Sequence, residues 1–153
     1  MKTKGISIVA LFFTIITILI MQGCSATKPV TQSNLTGEWV LKTINGKEAK
    51  NLFARELPTF QFDFSRKIIS GTGGCNRYTG QFILINNLLT APNIASTKMF
   101  CMDPNAEDEF FEALRKDNTL IIKDGILKMK NGKNVVLEFE RRTQNQQILT
   151  AER

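Results

Sequence analysis

Three cysteines are the side chains of this 153-residue sequence with the clearest capacity for chemistry: Cys24, Cys75 and Cys101. The chain contains no histidine. That absence excludes Ser-His-Asp and Cys-His catalysis, histidine-ligated zinc and a histidine-based pH switch. The sequence also has no evident pair of catalytic carboxylates. We therefore predict no catalytic residue, no metal site and no cofactor, and we interpret the protein as non-enzymatic.

Cys75 lies in the most distinctive segment, Ser70 to Gly80, which reads Ser-Gly-Thr-Gly-Gly-Cys-Asn-Arg-Tyr-Thr-Gly. Its four glycines predict bends or positive φ angles instead of a regular strand. The segment has no Gly-Lys-Ser/Thr ending, so it is not a P-loop, and Asn76 stands where the third glycine of Gly-x-Gly-x-x-Gly would be. A phosphate cradle is therefore not expected here.

Cys75 and Cys101 form the predicted disulfide, since an exported protein can keep such a bridge. The loop that it closes would be worth about 3–4 kcal/mol in the chain-entropy description. The alternative is a pair of free or redox-active thiols. No Cys-x-x-Cys motif is present, and no histidine could activate either thiol.

The amino terminus predicts export. A basic start is followed by an apolar run from residue 6 to 21, which is shorter than the roughly 20 residues of a membrane-spanning helix. Met21-Gln22-Gly23-Cys24 resembles the bacterial lipobox, although Gln22 is irregular. The resemblance implies a signal peptide at 1–23 and a diacylglycerol and an acyl chain such as palmitate on Cys24. The alternative is an uncleaved anchor.

The polar residues after Cys24 predict a flexible, lipidated tether over 24–34. Ser25 follows the cysteine where inner-membrane lipoproteins often carry an acidic residue. By that resemblance we expect a protein of the cell envelope, anchored in the outer membrane by its lipid.

Alternating apolar residues predict a mainly β domain over 35–142. Residues 59–64 place three phenylalanines on one face, and Asn45-Gly46, Asp124-Gly125 and Asn131-Gly132 are turn signals between strand-like runs. Trp39 is expected to anchor the core. Residues 143–153 lack periodicity and are interpreted as a flexible tail.

One helix is predicted after Asp103, which would cap it, with Pro104 at its first position. Residues 106, 110, 113 and 114 form its apolar stripe. The acidic run Glu107 to Glu109 is interpreted as a solvated helix start in preference to a metal site. The predicted fold class is α+β, mainly β: a small antiparallel barrel-like domain with one packed helix.

Gly-Cys-Asn-Arg-Tyr-x-Gly, followed by Thr97-x-Met99-x-Cys101, resembles the META domain, in particular the HslJ-like lipoproteins. Leu35 to Leu41, the acidic helix and the final strand match the same pattern, so the resemblance covers about 35–141. It implies a conical, barrel-like fold in secreted or membrane-tethered proteins linked to heat response, envelope stress and novobiocin resistance. It implies no enzymatic activity.

The motif residues have two interpretations. Asn76 would satisfy backbone groups in an irregular turn, while Arg77 and Tyr78 would be ordinary surface and packing residues. Alternatively, these residues form a recognition patch with Thr97 and Met99. For Met99 and its neighbour Phe100 we favour core packing.

The leading functional prediction is an envelope-integrity or stress-response factor that binds another envelope component. The alternatives are a carrier of small apolar ligands and a protein inhibitor or adhesin. The formal charge is +6, and it becomes +4 once Lys2 and Lys4 are removed with the signal peptide. The basic residues are dispersed, so no nucleic-acid partner is expected. We expect a monomer.

Overall fold

The computed structural model describes residues 30–101 and 103–142. The predictions for the signal peptide, for Cys24 and for the tail lie outside the described residues. No helix in the described ranges has the length and apolarity needed to cross a membrane.

The described elements are two α-helices, one 3-10 helix and eleven strands. The helices are α1 (Gln32–Leu35) and α2 (Glu107–Arg115), and the 3-10 helix is Ala49–Asn51. The strands are β1 (Glu38–Ile44), β2 (Lys47–Glu48), β3 (Thr59–Asp63), β4 (Ile68–Thr72), β5 (Arg77–Gln81), β6 (Ile83–Ile85), β7 (Leu88–Thr90), β8 (Ile94–Ser96), β9 (Asn118–Lys123), β10 (Ile126–Asn131) and β11 (Asn134–Arg141).

The strands form one curled antiparallel sheet in the order β6-β7-β9-β10-β11-β1-β3-β4-β5-β8, with β2 paired to β1. At the centre of the sheet, strands that are distant in sequence pair: β1 lies between β3 and β11, and β11 comes from the other end of the domain. The mainly β, antiparallel, barrel-like fold with one principal helix is therefore confirmed.

The hairpin turns follow the sequence signals. Both turn residues have positive φ at Asn45-Gly46 (48° and 78°) and at Asp124-Gly125 (52° and 77°). Two consecutive positive φ angles match the right-handed twist of the flanking strands, and Asn, Asp and Gly tolerate them best. The hairpins at these positions are thus encoded locally.

Large side chains fill the space between the sheet and α2. Trp39, Phe60, Phe110 and Phe139 are fully buried, and the indole N–H of Trp39 donates to the Leu35 carbonyl at 3.0 Å. Trp39 is therefore the predicted core anchor. The apolar face of α2 adds further buried side chains: Phe111, Ala113 and Leu114.

Two predicted boundaries move. The tether was expected to reach residue 34, yet residues 32–35 form α1 and Val30 packs, partly buried, against the core. Helix α2 begins at Glu107 with Ala106 at its N-cap, so the prediction that Asp103 caps it is wrong. Asp103 is exposed, in an irregular segment that precedes the helix by one turn.

Candidate functional site

The glycine-rich motif forms a hairpin between β4 and β5. The expectation of irregular structure is wrong for Gly71 and Gly80, which lie within the strands. A Cβ at Gly71 would lie 2.1 Å from the carbonyl oxygen of Thr59, and one at Gly80 would lie 2.8 Å from that of Asn93. Close backbone approach therefore explains these two glycines. Among the motif's four, only Gly74 has positive φ (102°).

Residues 73–76, which we call the bridged loop, cover the buried carboxylate of Glu107. Its Oε1 accepts the backbone N–H of Asn76 at 2.7 Å and that of Cys75 at 3.3 Å, and its Oε2 accepts Nδ2 of Asn76 at 2.5 Å. A Cβ at Gly73 would lie 2.5 Å from Oε1, so glycine leaves room for the carboxylate. The solvated-helix interpretation is wrong for Glu107, which is 7% exposed, and correct for the exposed Asp108.

The loop therefore resembles an anion cradle that the chain fills with its own carboxylate. The Gly73 N–H donates to the Asn76 carbonyl at 2.7 Å, and the Gly74 N–H donates to Oγ1 of Thr72 at 3.0 Å. The remaining two backbone N–H groups of the loop donate to Glu107. None of the four is left for an external phosphate, which agrees with the absence of a P-loop pattern.

Asn76 joins three segments of the site. Its Oδ1 accepts the Thr97 hydroxyl at 2.9 Å and the Met99 N–H at 2.7 Å. Its Nδ2 donates to Glu107 and to Sγ of Cys101 at 3.3 Å. Asn76 satisfies backbone groups, as the packing interpretation predicted, and it also ties the segment after β8 to α2. Because Asn76 is only 5% exposed, water competes little for these hydrogen bonds.

The disulfide between Cys75 and Cys101 is present, with 26 residues of separation in sequence. It attaches the segment after β8 to the bridged loop covalently, beside the Asn76 hydrogen bonds. Both cysteines are half-buried. The loop is thus fixed at two adjacent residues, Cys75 and Asn76.

Arg77 and Tyr78 separate into different roles because they occupy opposite faces of β5. Tyr78 is 4% exposed; its hydroxyl donates to the Thr59 carbonyl at 2.9 Å and its ring packs against Phe111. Burial raises the pKa of Tyr78 well above its usual range. Tyr78 is therefore a packing residue. Arg77 is exposed and available for recognition.

Met99 and Phe100 are exposed by 57% and 94%, so the prediction that they pack in the core is wrong. The hydrogen bond from the Met99 N–H to Asn76 and the bridge at Cys101 hold this segment outside the sheet. Their apolar side chains project from a constrained segment into solvent. Exposed apolar side chains beside a groove are typical of binding surfaces.

A groove of about 620 Å³, which we call the arginine groove, opens beside the bridged loop. Arg55, Glu56, Thr72, Arg77, Thr97 and Met99 line it, with the backbone of the loop. Both arginines are exposed, and no ion pair joins either to a carboxylate in the described part of the chain. Sequence analysis missed Arg55 and Glu56, since they precede β3 and belong to no motif. No set of three or more acidic or cysteine side chains among the described residues is placed to hold a metal ion.

The fold and the site define a small antiparallel β domain whose bridged Gly-Cys-Asn loop closes over a helix. Residues 33–144 match the sequence model of the META domain, and the chain belongs to the META domain family. It is 30% identical over 112 residues to the heat shock protein HslJ of Escherichia coli (strain K12), covering 70% of this chain and 72% of that protein.

Solved structures similar to this chain include two determined by NMR. One, an NMR structure, has a TM-score of 0.59 and 28% identity, covering 73% of this chain and 95% of its own. An NMR structure of a protein from Burkholderia xenovorans has a TM-score of 0.58 and 21% identity, covering 80% and 96%, and it supports the fold alone.

Proposed function

We propose that the protein is a non-enzymatic lipoprotein of the cell envelope whose META domain binds another envelope component through the arginine groove. The observation that carries the proposal is the combination of exposed cations and a rigid frame. Arg55 and Arg77 stand without an ion-pair partner among the described residues, over a loop held by the disulfide, the Asn76 hydrogen bonds and the buried Glu107. Preorganised side chains bind with a smaller loss of conformational entropy.

The filled interior favours surface recognition over carriage of an apolar ligand within the barrel. The largest core side chains are fully buried and pack ring against ring, as at Phe60 and Phe139, 5.6 Å apart. An inhibitor or adhesin would use the same exposed groove, and the identity of the captured partner separates these roles.

The membrane part of the proposal rests on the lipobox-like sequence before Cys24. Intact mass of the protein extracted from its membrane should show removal of residues 1–23 and acylation of Cys24. Replacement of Cys24 by serine should release the protein from the membrane fraction. An unmodified Cys24 would remove the anchor from the proposal.

The binding part is tested by photo-crosslinking in cells. A photoreactive amino acid at Lys98, which is exposed and lies in sequence between the lining residues Thr97 and Met99, should give a discrete crosslinked product. The same amino acid at Lys133, in the turn between β10 and β11, is the matched control. Equal products from both positions, or none from position 98, would contradict recognition through the groove.

A further inference from the structure

We infer that the arginine groove recognises an acidic segment of a partner protein, with carboxylates at Arg55 and Arg77 and an apolar side chain at Met99 and Phe100. This inference rests on the proposed function and adds the chemistry of the ligand. Three properties of the groove lead to it: its charge, its lack of backbone donors and its apolar rim.

The charge of the groove favours an anionic ligand. Its ionisable lining is Arg55, Arg77 and Glu56, and no ion pair within 4 Å joins Glu56 to either arginine. A guanidinium presents a planar fork of donors that matches a carboxylate in two parallel hydrogen bonds. The Thr72 hydroxyl accepts from Gly74 and keeps its own hydrogen to donate.

The bridged loop favours carboxylate over phosphate. Compact phosphate sites use several backbone N–H groups that converge on the oxygens. Here the four loop N–H groups are already satisfied, two of them by Glu107. The groove consequently offers side-chain forks without the backbone nest.

The apolar rim favours a polypeptide over a small anion. Met99 lines the groove together with Arg77 and Thr97, which exchange hydrogen bonds of 3.0 Å and 3.2 Å. Phe100 follows Met99 in the chain and is exposed. Methionine, aromatic residues and arginine are the side chains most enriched at protein interfaces. A segment that alternates acidic and apolar residues would contact both parts.

The test uses the protein purified from its membrane in detergent micelles and two capped peptides, Glu-Leu-Glu-Phe-Glu and its analogue Gln-Leu-Gln-Phe-Gln. The acidic peptide should shift the amide NMR signals of Arg77, Thr97 and Met99 in a saturable manner. The amide analogue should bind at least about tenfold more weakly, because each bond to a charged partner is lost.

The double variant Arg55→Glu/Arg77→Glu should lose binding by about tenfold or more, while Lys133→Glu, an exposed charge reversal in a distant turn, should not. Both arginines are exposed, so the melting temperature should remain unchanged. Equal binding of both peptides, or saturation of the same signals by inorganic phosphate alone, would overturn the inference. So would groove-dependent binding to phosphatidylglycerol vesicles. If crosslinking from position 98 succeeds but the acidic peptide does not bind, the inference of an acidic ligand is wrong, while the proposed function is still supported.

Discussion

Replacement of Glu107 by glutamine should destabilise the fold although the two side chains have nearly the same shape. The carboxylate accepts one side-chain and two backbone N–H groups. A glutamine oxygen can keep the two backbone donors, but its NH₂ group then faces Nδ2 of Asn76, which occupies a site 2.5 Å away in the native protein. Asn76 cannot reverse its amide, because its Oδ1 already accepts from Thr97 and Met99.

The cost follows from these contacts. A hydrogen bond to a charged group contributes about 1.5–3 kcal/mol, and a buried donor left without a partner costs about 1–3 kcal/mol. The two terms overlap, so we expect a loss of about 3 kcal/mol from a total stability of about 5–15 kcal/mol. The matched control is Asp108→Asn, which removes the same charge from the first turn of α2 at an exposed position. It should cost about 0.3–1 kcal/mol.

A reciprocal substitution sharpens the test. In the double variant Glu107→Gln/Asn76→Asp, the amide introduced in the helix can donate to one oxygen of the carboxylate introduced in the loop. The other carboxylate oxygen can keep the bonds from Thr97 and Met99. The second substitution should therefore restore about 1–2 kcal/mol of what the first removes.

Urea unfolding of the oxidised protein measures these changes. The fluorescence of Trp39, the only tryptophan in the sequence and fully buried, reports the transition. The reasoning is refuted if Glu107→Gln lies within about 1 kcal/mol of Asp108→Asn, or if the double-mutant cycle shows no coupling.

Three further predictions concern stability. Gly71→Ala should prevent β3 and β4 from keeping their register, with a loss of about 3 kcal/mol or more of stability. Gly125→Ala, in an open turn with positive φ, should cost about 1 kcal/mol. Both losses are measured by urea unfolding, and equal losses would contradict the close-approach argument. The double variant Cys75→Ser/Cys101→Ser should lose about 3.5 kcal/mol of stability, because the bridge closes a loop between residues 26 positions apart. The thermal midpoint of the variant should fall and match that of the reduced wild type. An unchanged midpoint would show that the bridge does not stabilise the fold. Hydrogen bonds from Ser65 and Arg66 hold the pKa of Asp63 well below its usual value of 3.8. The contribution of Asp63 to folding stability is therefore complete above the unfolded-state pKa and is lost as pH falls through the folded-state pKa. The stability difference between wild type and Asp63→Asn should shrink between pH 6 and pH 2, and a constant difference would refute this.

Much of the fold could be predicted because its signals are local. The turns at Asn45-Gly46 and Asp124-Gly125 depend on residues that tolerate positive φ, and the alternation in β10 places Leu127 and Met129 in the core. The stripe of α2 follows helical spacing in the same way. The glycines of the motif were interpreted through their φ angles, whereas Gly71 and Gly80 are required by the approach of other strands.

The candidate site could be predicted only in part. The cysteine pair, the lack of histidine, the amphipathic helix and the motif residues could all be recognised from the sequence, because each depends on composition or on spacing within one segment. Glu107 and Asp108 are adjacent acids in the same helical turn, and nothing local distinguishes them.

Glu107 is buried beneath the bridged loop while Asp108 remains in water, and this difference is visible only in the folded protein. The same holds for the exposure of Met99 and Phe100 and for the meeting of Arg55 and Arg77 in one groove. Burial and hydrogen bonding depend on which distant segments meet, and local sequence does not encode that. In this protein the loop at 73–76 and the helix at Glu107 are brought together by the sheet and the disulfide across more than thirty residues of chain.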